Sequence, residues 1–159
     1  MPNPNTNFTA GQVLTADQAN RWPRGALGYA SSQIGYTTTA THTTFQDVGL
    51  SATVTYAANR LLKVTYVTHA IPSGGVQGIS YRFLRGSTVL RQMEVTSTVF
   101  PNTSNAFTLT LEAILQGPNT SATEAFKVQI AAATSNTAVI DYGDSSRIRQ
   151  FSVEDLGPI

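Results

Sequence analysis

Apolar side chains recur at every second position through most of this chain. Over residues 61–70, Leu62, Val64, Tyr66 and Ala70 fall on one face while Lys63, Thr65 and His69 fall on the other, the period of a strand with one side buried and one wet. The same alternation sets Phe107, Leu109, Leu111 and Ala113 against Thr108, Thr110 and Glu112, and Phe126, Val128 and Ile130 against Lys127 and Gln129. A last strand over 147–155 carries Arg149, Phe151 and Val153 on one face, and Gly157-Pro158 is expected to stop it. Residues 76–85 and 88–97 flank Gly86-Ser87, a two-residue linker with glycine first, as a type II′ hairpin turn requires. Ile79, Tyr81 and Phe83 should then share an inward face with Val89, Met93 and Val95. Shorter strands are expected at 26–30, 44–48, 52–56 and 138–142, the second and third separated by a turn at Gly49. Residues 31–44 read as irregular, with pairing near 34–38. Ala58-Asn59 and residues 116–119, 134–137 and 143–146 supply further turns.

Eight to ten short strands with regular turn signals describe an all-β protein, an antiparallel β-sandwich. Periodicity does not settle the connectivity. A jelly roll is expected, because first and last strands tend to lie side by side in it. The pattern is similar to that of the trimeric jelly rolls of the tumour-necrosis-factor and complement type, a likeness of fold that implies no function.

One helix signal interrupts the strand pattern. Thr15 is placed to cap the backbone N–H of Gln18, whose side chain can reach back, so a short helix should begin at Ala16. Pro23 ends it near Asn20 or Arg21. About one and a half turns are not stable alone. Phe8, Val13, Leu14 and Trp22 give this stretch apolar surface, to be covered either by the chain's own β-domain or by another chain. The expected organisation is a docking arm over 1–25 and a β-sandwich over 26–159.

At 159 residues the chain is long enough for one domain with a real core. Charged residues make up 12% and the net charge is +1, which gives no field to gather nucleic acid or to coat an anionic membrane. No stretch approaches a membrane-spanning length, and the opening MPNPNTN lacks a secretory signal. Synthesis in the cytoplasm is expected. Without cysteine there is no disulfide framework and no thiolate metal site.

The supply of catalytic groups is thin. His42 and His69 have no spacing to a carboxylate or nucleophile that makes a triad, and no third ligand for zinc. Glu112 and Glu124 fall on neighbouring expected strands, as a glycosidase pair would require, but read as solvated surface groups. The Asp141-to-Asp144 loop offers oxygen ligands to calcium, though Asp and Gly there are explained by the turn. IPSGGVQG lacks the Lys-Ser/Thr of a phosphate loop. Arg82, Arg85, Arg91, Arg147 and Arg149 have no interleaved aromatic row, and salt bridges with Glu94, Glu154 and Asp155 are expected to absorb them. Tyr36, Tyr56, Tyr66 and Tyr142 are the candidates for stacking on sugar, although Tyr66 shares the apolar face of Leu62 and Val64. No catalytic residue, metal or cofactor is expected, and the chain reads as a non-enzyme.

The run FTAGQVLTADQANRWPRGALGYA, residues 8–30, with the closing FSVEDLGP, residues 151–158, resembles small structural proteins of tailed bacteriophages, particularly those infecting actinobacteria. In these a segment of the form F-x-A-G-x-x-L-T-A-x-x-x-N, followed by P-x-G-x-x-G-Y, precedes a β-rich domain. The resemblance implies a minor tail or fibre-like component of the virion. Its arm, through Phe8, Val13, Leu14 and Trp22, would anchor an oligomer, expected as a homotrimer, to other virion proteins. A host-surface glycan is a further expected partner, through loops at 71–75 and 101–105 that include Ser73, Gly74 and Asn102. Capsid decoration or a head fibre is the alternative placement, and a carbohydrate-binding module the alternative of another class.

Overall fold

The computed structural model describes residues 25–38, 44–72, 78–96, 107–132 and 139–159. They form ten strands: β1 Gly25–Ser32, β2 Tyr36–Thr38, β3 Gln46–Tyr56, β4 Arg60–Pro72, β5 Gly78–Arg85, β6 Thr88–Thr96, β7 Phe107–Gln116, β8 Ala122–Ala132, β9 Val139–Tyr142 and β10 Arg149–Pro158. No helix occurs among the described residues; the helix expected from Ala16 lies outside them.

All pairings are antiparallel and fall into two sheets. In the first, β10 pairs residues 60–67 of β4 and β9 pairs residues 69–72 of the same edge, while β7 lines the opposite edge over residues 61–70. β1 pairs β10 and β2 pairs β9. Thus β1 with β2, and β9 with β10, each act as one strand broken by a loop, and this sheet is in effect four strands wide. The second sheet runs β3-β8-β5-β6.

The sheets bury the faces that alternation predicts. Val48, Leu50, Ala52, Val54 and Tyr56 of β3, Leu62, Val64, Tyr66 and Ala70 of β4, Ile79, Tyr81 and Phe83 of β5, Phe126, Val128 and Ile130 of β8, and Phe151 and Val153 of β10 form one core. Tyr66 meets Tyr81 and Phe83 meets Phe151 across the layers, with ring centroids 6.1 and 6.3 Å apart. Removing this apolar area from water is the dominant favourable term in folding.

Three expectations change, each at a bulge. Gly49 does not separate a pair of strands: β3 is continuous, with an irregularity between Asp47 and Ser51 where Gly49 takes φ 75°. The Gly86-Ser87 hairpin forms, with Gly86 at φ 58°. However, Leu84 opposes Val89 while Phe83 opposes Arg91, so β6 carries one extra residue. Leu90 therefore packs against the core and Val89 turns outward. Gly157-Pro158 does not end the last strand, since β10 bulges between Asp155 and Gly157 and pairs on to Pro158 opposite Arg60.

The expected neighbourhood of first and last strands is observed. Gly25, Ala26, Gly28, Tyr29 and Ala30 pair with Asp155, Glu154, Val153, Ser152 and Phe151. Residues 25–30 of the opening run thus lie directly beside residues 151–155 of the closing run.

Candidate functional site

The sandwich has two unlike ends. At one, the strands are joined by tight turns, and both the entry at Gly25 and the exit at Ile159 lie here, next to Asp155 and Asn59. Asn59, at φ 55°, donates from its backbone N–H to the Pro118 carbonyl at 2.9 Å, Gly117 donates to the Arg60 carbonyl at 2.7 Å, and Ile159 donates to the Asn59 carbonyl at 3.0 Å. Gly117 has no room for a side chain, because a Cβ would stand 2.9 Å from the Arg60 carbonyl oxygen. The N–H of Gly86 reaches the Ala125 carbonyl at 2.8 Å.

Beneath these turns Arg60 and Asp155 form a buried pair. Arg60 Nε donates to both carboxylate oxygens at 2.9 and 3.0 Å, and Nη2 lies 2.9 Å from Oδ1. Oδ1 also accepts the Gly157 N–H at 2.8 Å. Close by, the Tyr56 hydroxyl donates to Glu124, which also pairs with Arg85 at 3.2 Å. Burial first, then the bond to Glu124 and its charge, push the Tyr56 hydroxyl up to about 12.

At the opposite end the register aligns the tips of seven strands: Thr38 and Pro72 both pair Val139, Ala70 pairs Phe107, Gly78 pairs Thr96, and Ile79 pairs Ala132. Four connections of five to ten residues leave and return here, spanning residues 39–45, 73–77, 97–106 and 133–138, against two to five residues at the first end. Ser73 and Gly74 belong to the second and Asn102 to the third; all three lie outside the described residues, as do Phe8, Val13, Leu14 and Trp22. Toward this end Arg149 ties the layers together, donating from Nη1 to the Val48 carbonyl at 3.0 Å and from Nη2 to the Ile34 carbonyl at 2.5 Å.

The other candidates are dispersed. Glu112 and Glu124 are not neighbours: β7 and β8 belong to different sheets, and Glu112 pairs with Lys63 at 2.8 Å while Glu124 faces Tyr56 and Arg85. His69 Nδ1 lies 3.0 Å from the Thr108 hydroxyl; His42 is outside the described residues. Asp144 accepts from the backbone N–H and hydroxyl of Ser146, which hold its carboxyl below the ordinary range, as a turn-forming aspartate requires. Among the described residues no group of three or more His, Asp or Glu side chains could hold a metal ion.

Of the sugar-stacking candidates, Tyr56 and Tyr66 are core residues and Tyr36 donates its hydroxyl to Gln46. Tyr29, 60% exposed on β1, was not among them. Several arginines have partners other than the expected carboxylates. Arg82 stacks on Phe45 at 4.1 Å and donates to Gln129, Arg85 takes Glu124, Arg147 lies 4.0 Å from Asp144, and Asp155 belongs to Arg60. Arg60 lies on the face of Leu62 and Val64, where a lone charge needs a partner, a signal carried by the same alternation.

No protein-family model and no curated protein matches the chain. Among solved structures, the VP2 subviral particle of infectious bursal disease virus is similar over 86% of this chain with a TM-score of 0.51 at 9% identity. This chain corresponds to 42% of that one, less than half its length. A cyclase from Fischerella sp. TAU is similar over 67% of this chain and 59% of its own, with a TM-score of 0.42 and 18% identity.

Proposed function

We propose that this chain is a structural protein of a tailed-phage particle, with residues 1–25 as the anchor and a jelly roll as the body. The carrying observation is the polarity of the sandwich. The chain enters and leaves at the end whose connections span two to five residues, and the four connections of five to ten residues lie at the other. An arm attached at Gly25 would hold the entry end to a particle and turn the loops of Ser73, Gly74 and Asn102 toward the host surface.

The jelly-roll reading is supported by the strand order. With the two broken strands each counted once, the sheets run first-eighth-third-sixth and second-seventh-fourth-fifth, so that only the β5–β6 hairpin joins neighbours within a sheet. The virion reading draws on the motif pairing of β1 with β10 and on the fold likeness to a protein of a virus particle. That likeness also gives capsid decoration its place as the second reading.

Antibody against the β-domain, applied to intact particles of the virus that encodes the chain, tests both. Label on the tail or its fibres supports the first reading and label over the head surface the second. Particles that carry no label would overturn the proposal.

A further inference from the structure

A sheet edge offers unpaired backbone donors and acceptors to any strand that can approach, and proteins commonly blunt such edges with bulges, prolines or charge. Three of the four edges here are interrupted. β3 bulges between Asp47 and Ser51, β6 carries the extra residue between Val89 and Arg91, and β1 bulges between Ala26 and Gly28 before the break at 33–35. β7 is different. It pairs with β4 through ten consecutive residues without a shift, and among the described residues no strand pairs its other edge. It holds no proline and no lysine, and its one charge, Glu112, points away from the core.

We propose that the edge of β7 that no described strand pairs is a contact site for a second copy of this chain, the two β7 strands pairing antiparallel about a two-fold axis at Leu111. Residues directly opposite each other must share a face, so only registers joining odd to odd and even to even positions keep both cores on the same side. An axis at Glu112 sets two carboxylates face to face, and an axis at Thr110 pairs only residues 107–113. An axis at Leu111 pairs residues 107–115 in full. Glu112 then faces the partner's Thr110, Ile114 faces the partner's Thr108, and Leu109 faces the partner's Ala113. This covers Ile114, 64% exposed in the single chain, and closes the half-buried Leu109 and Leu115. About eight to ten inter-chain backbone hydrogen bonds form, and the first sheet continues from one copy into the next. A two-fold contact differs from the three-fold association expected from sequence. It requires no virus particle, so this proposal and the proposed function can fail separately.

Sedimentation velocity on the full chain over a concentration series tests it, alongside Thr110→Glu and Thr110→Lys. Position 110 is exposed, so both variants leave the core untouched. The wild type is expected to sediment as two copies of the 17.0 kDa chain. Thr110→Glu places a carboxylate opposite Glu112 twice in each dimer and should raise the dissociation constant about tenfold; Thr110→Lys places an ammonium there and should lower it. A single-chain or three-chain mass for the wild type overturns the proposal, as does a shift in the same direction for both variants or in neither.

Discussion

Arg60 and Asp155, 95 residues apart in sequence, close the entry end of the sandwich with a guanidinium that meets both oxygens of one carboxylate. The two side chains are 3% and 0% exposed, so neither charge has water to fall back on. The pair spans adjacent strands, β4 and β10, beside the point where β1 begins.

Asp155→Ala should therefore cost about 3–5 kcal/mol, because it takes the carboxylate from a buried guanidinium and also frees the Gly157 N–H. Arg60→Met with Asp155→Ala removes both charges and should cost less than the sum of the two single changes. Urea unfolding of the four proteins in a double-mutant cycle measures the difference. Simple additivity would show that the two groups do not act as a pair.

Gly28 precedes Tyr29 at the entry to the sandwich, and the structure gives it a packing reason. A Cβ built there would stand 2.5 Å from Val54 Cγ1 and 3.0 Å from the Ala52 Cβ. The entering strand can lie over β3 only because that atom is missing. Gly28→Ala should lower stability by about 1–3 kcal/mol, as overpacking of a core does. Combining it with Val54→Ala should return some of that loss relative to Val54→Ala alone, read from thermal unfolding.

How much of this was legible follows from what a period of two can encode. It reports parity, so the inner faces of β4, β5, β7, β8 and β10 could be read from the residues, and Arg60 and Asp155 already shared the parity of the core. It reports neither a one-residue insertion nor the sheet a strand joins. Val89 and Leu90 are both apolar, and only the bulge decides that Leu90 points in. Glu112 and Glu124 are close in sequence, yet the connection after Gln116 carries the chain from one layer to the other. Phe8, Val13, Leu14, Trp22, Ser73, Gly74 and Asn102 lie outside the described residues, and their roles rest on the ends of the sandwich at which their segments attach.

Stability should fall in alkali through Tyr56. Its ring is buried, and desolvation together with Glu124 raises its folded pKa from 10.0 to about 12. The folded state thus holds this proton more tightly than the unfolded chain does. The contribution is complete below about pH 10 and is lost as pH climbs through about 12. Tyr36, raised by burial and then by the charge of Asp47, acts in the same direction. Unfolding midpoints followed between pH 9 and 12 should decline in the wild type, and less steeply in Tyr56→Phe. Equal slopes would mean that the Tyr56 hydroxyl is not held as the geometry describes.

Anchoring and folding should be separable. Among the described residues the fully buried core runs from Val48 to Val153, Leu27, Ala30 and Tyr36 pack against it, and the entering strand pairs with β10 from Gly25 onward. A chain starting at Gly25 should unfold cooperatively with a midpoint within a few degrees of the full chain. A shift of about 4 °C would correspond to roughly 1 kcal/mol for a domain of this size. The same truncation should abolish incorporation into particles, because Phe8, Val13, Leu14 and Trp22 go with it. If the truncated chain instead failed to fold, the arm would belong to the body. If it folded and still entered particles, the attachment surface would have to be sought on the sandwich itself, beginning with the exposed Tyr29 beside Ser152.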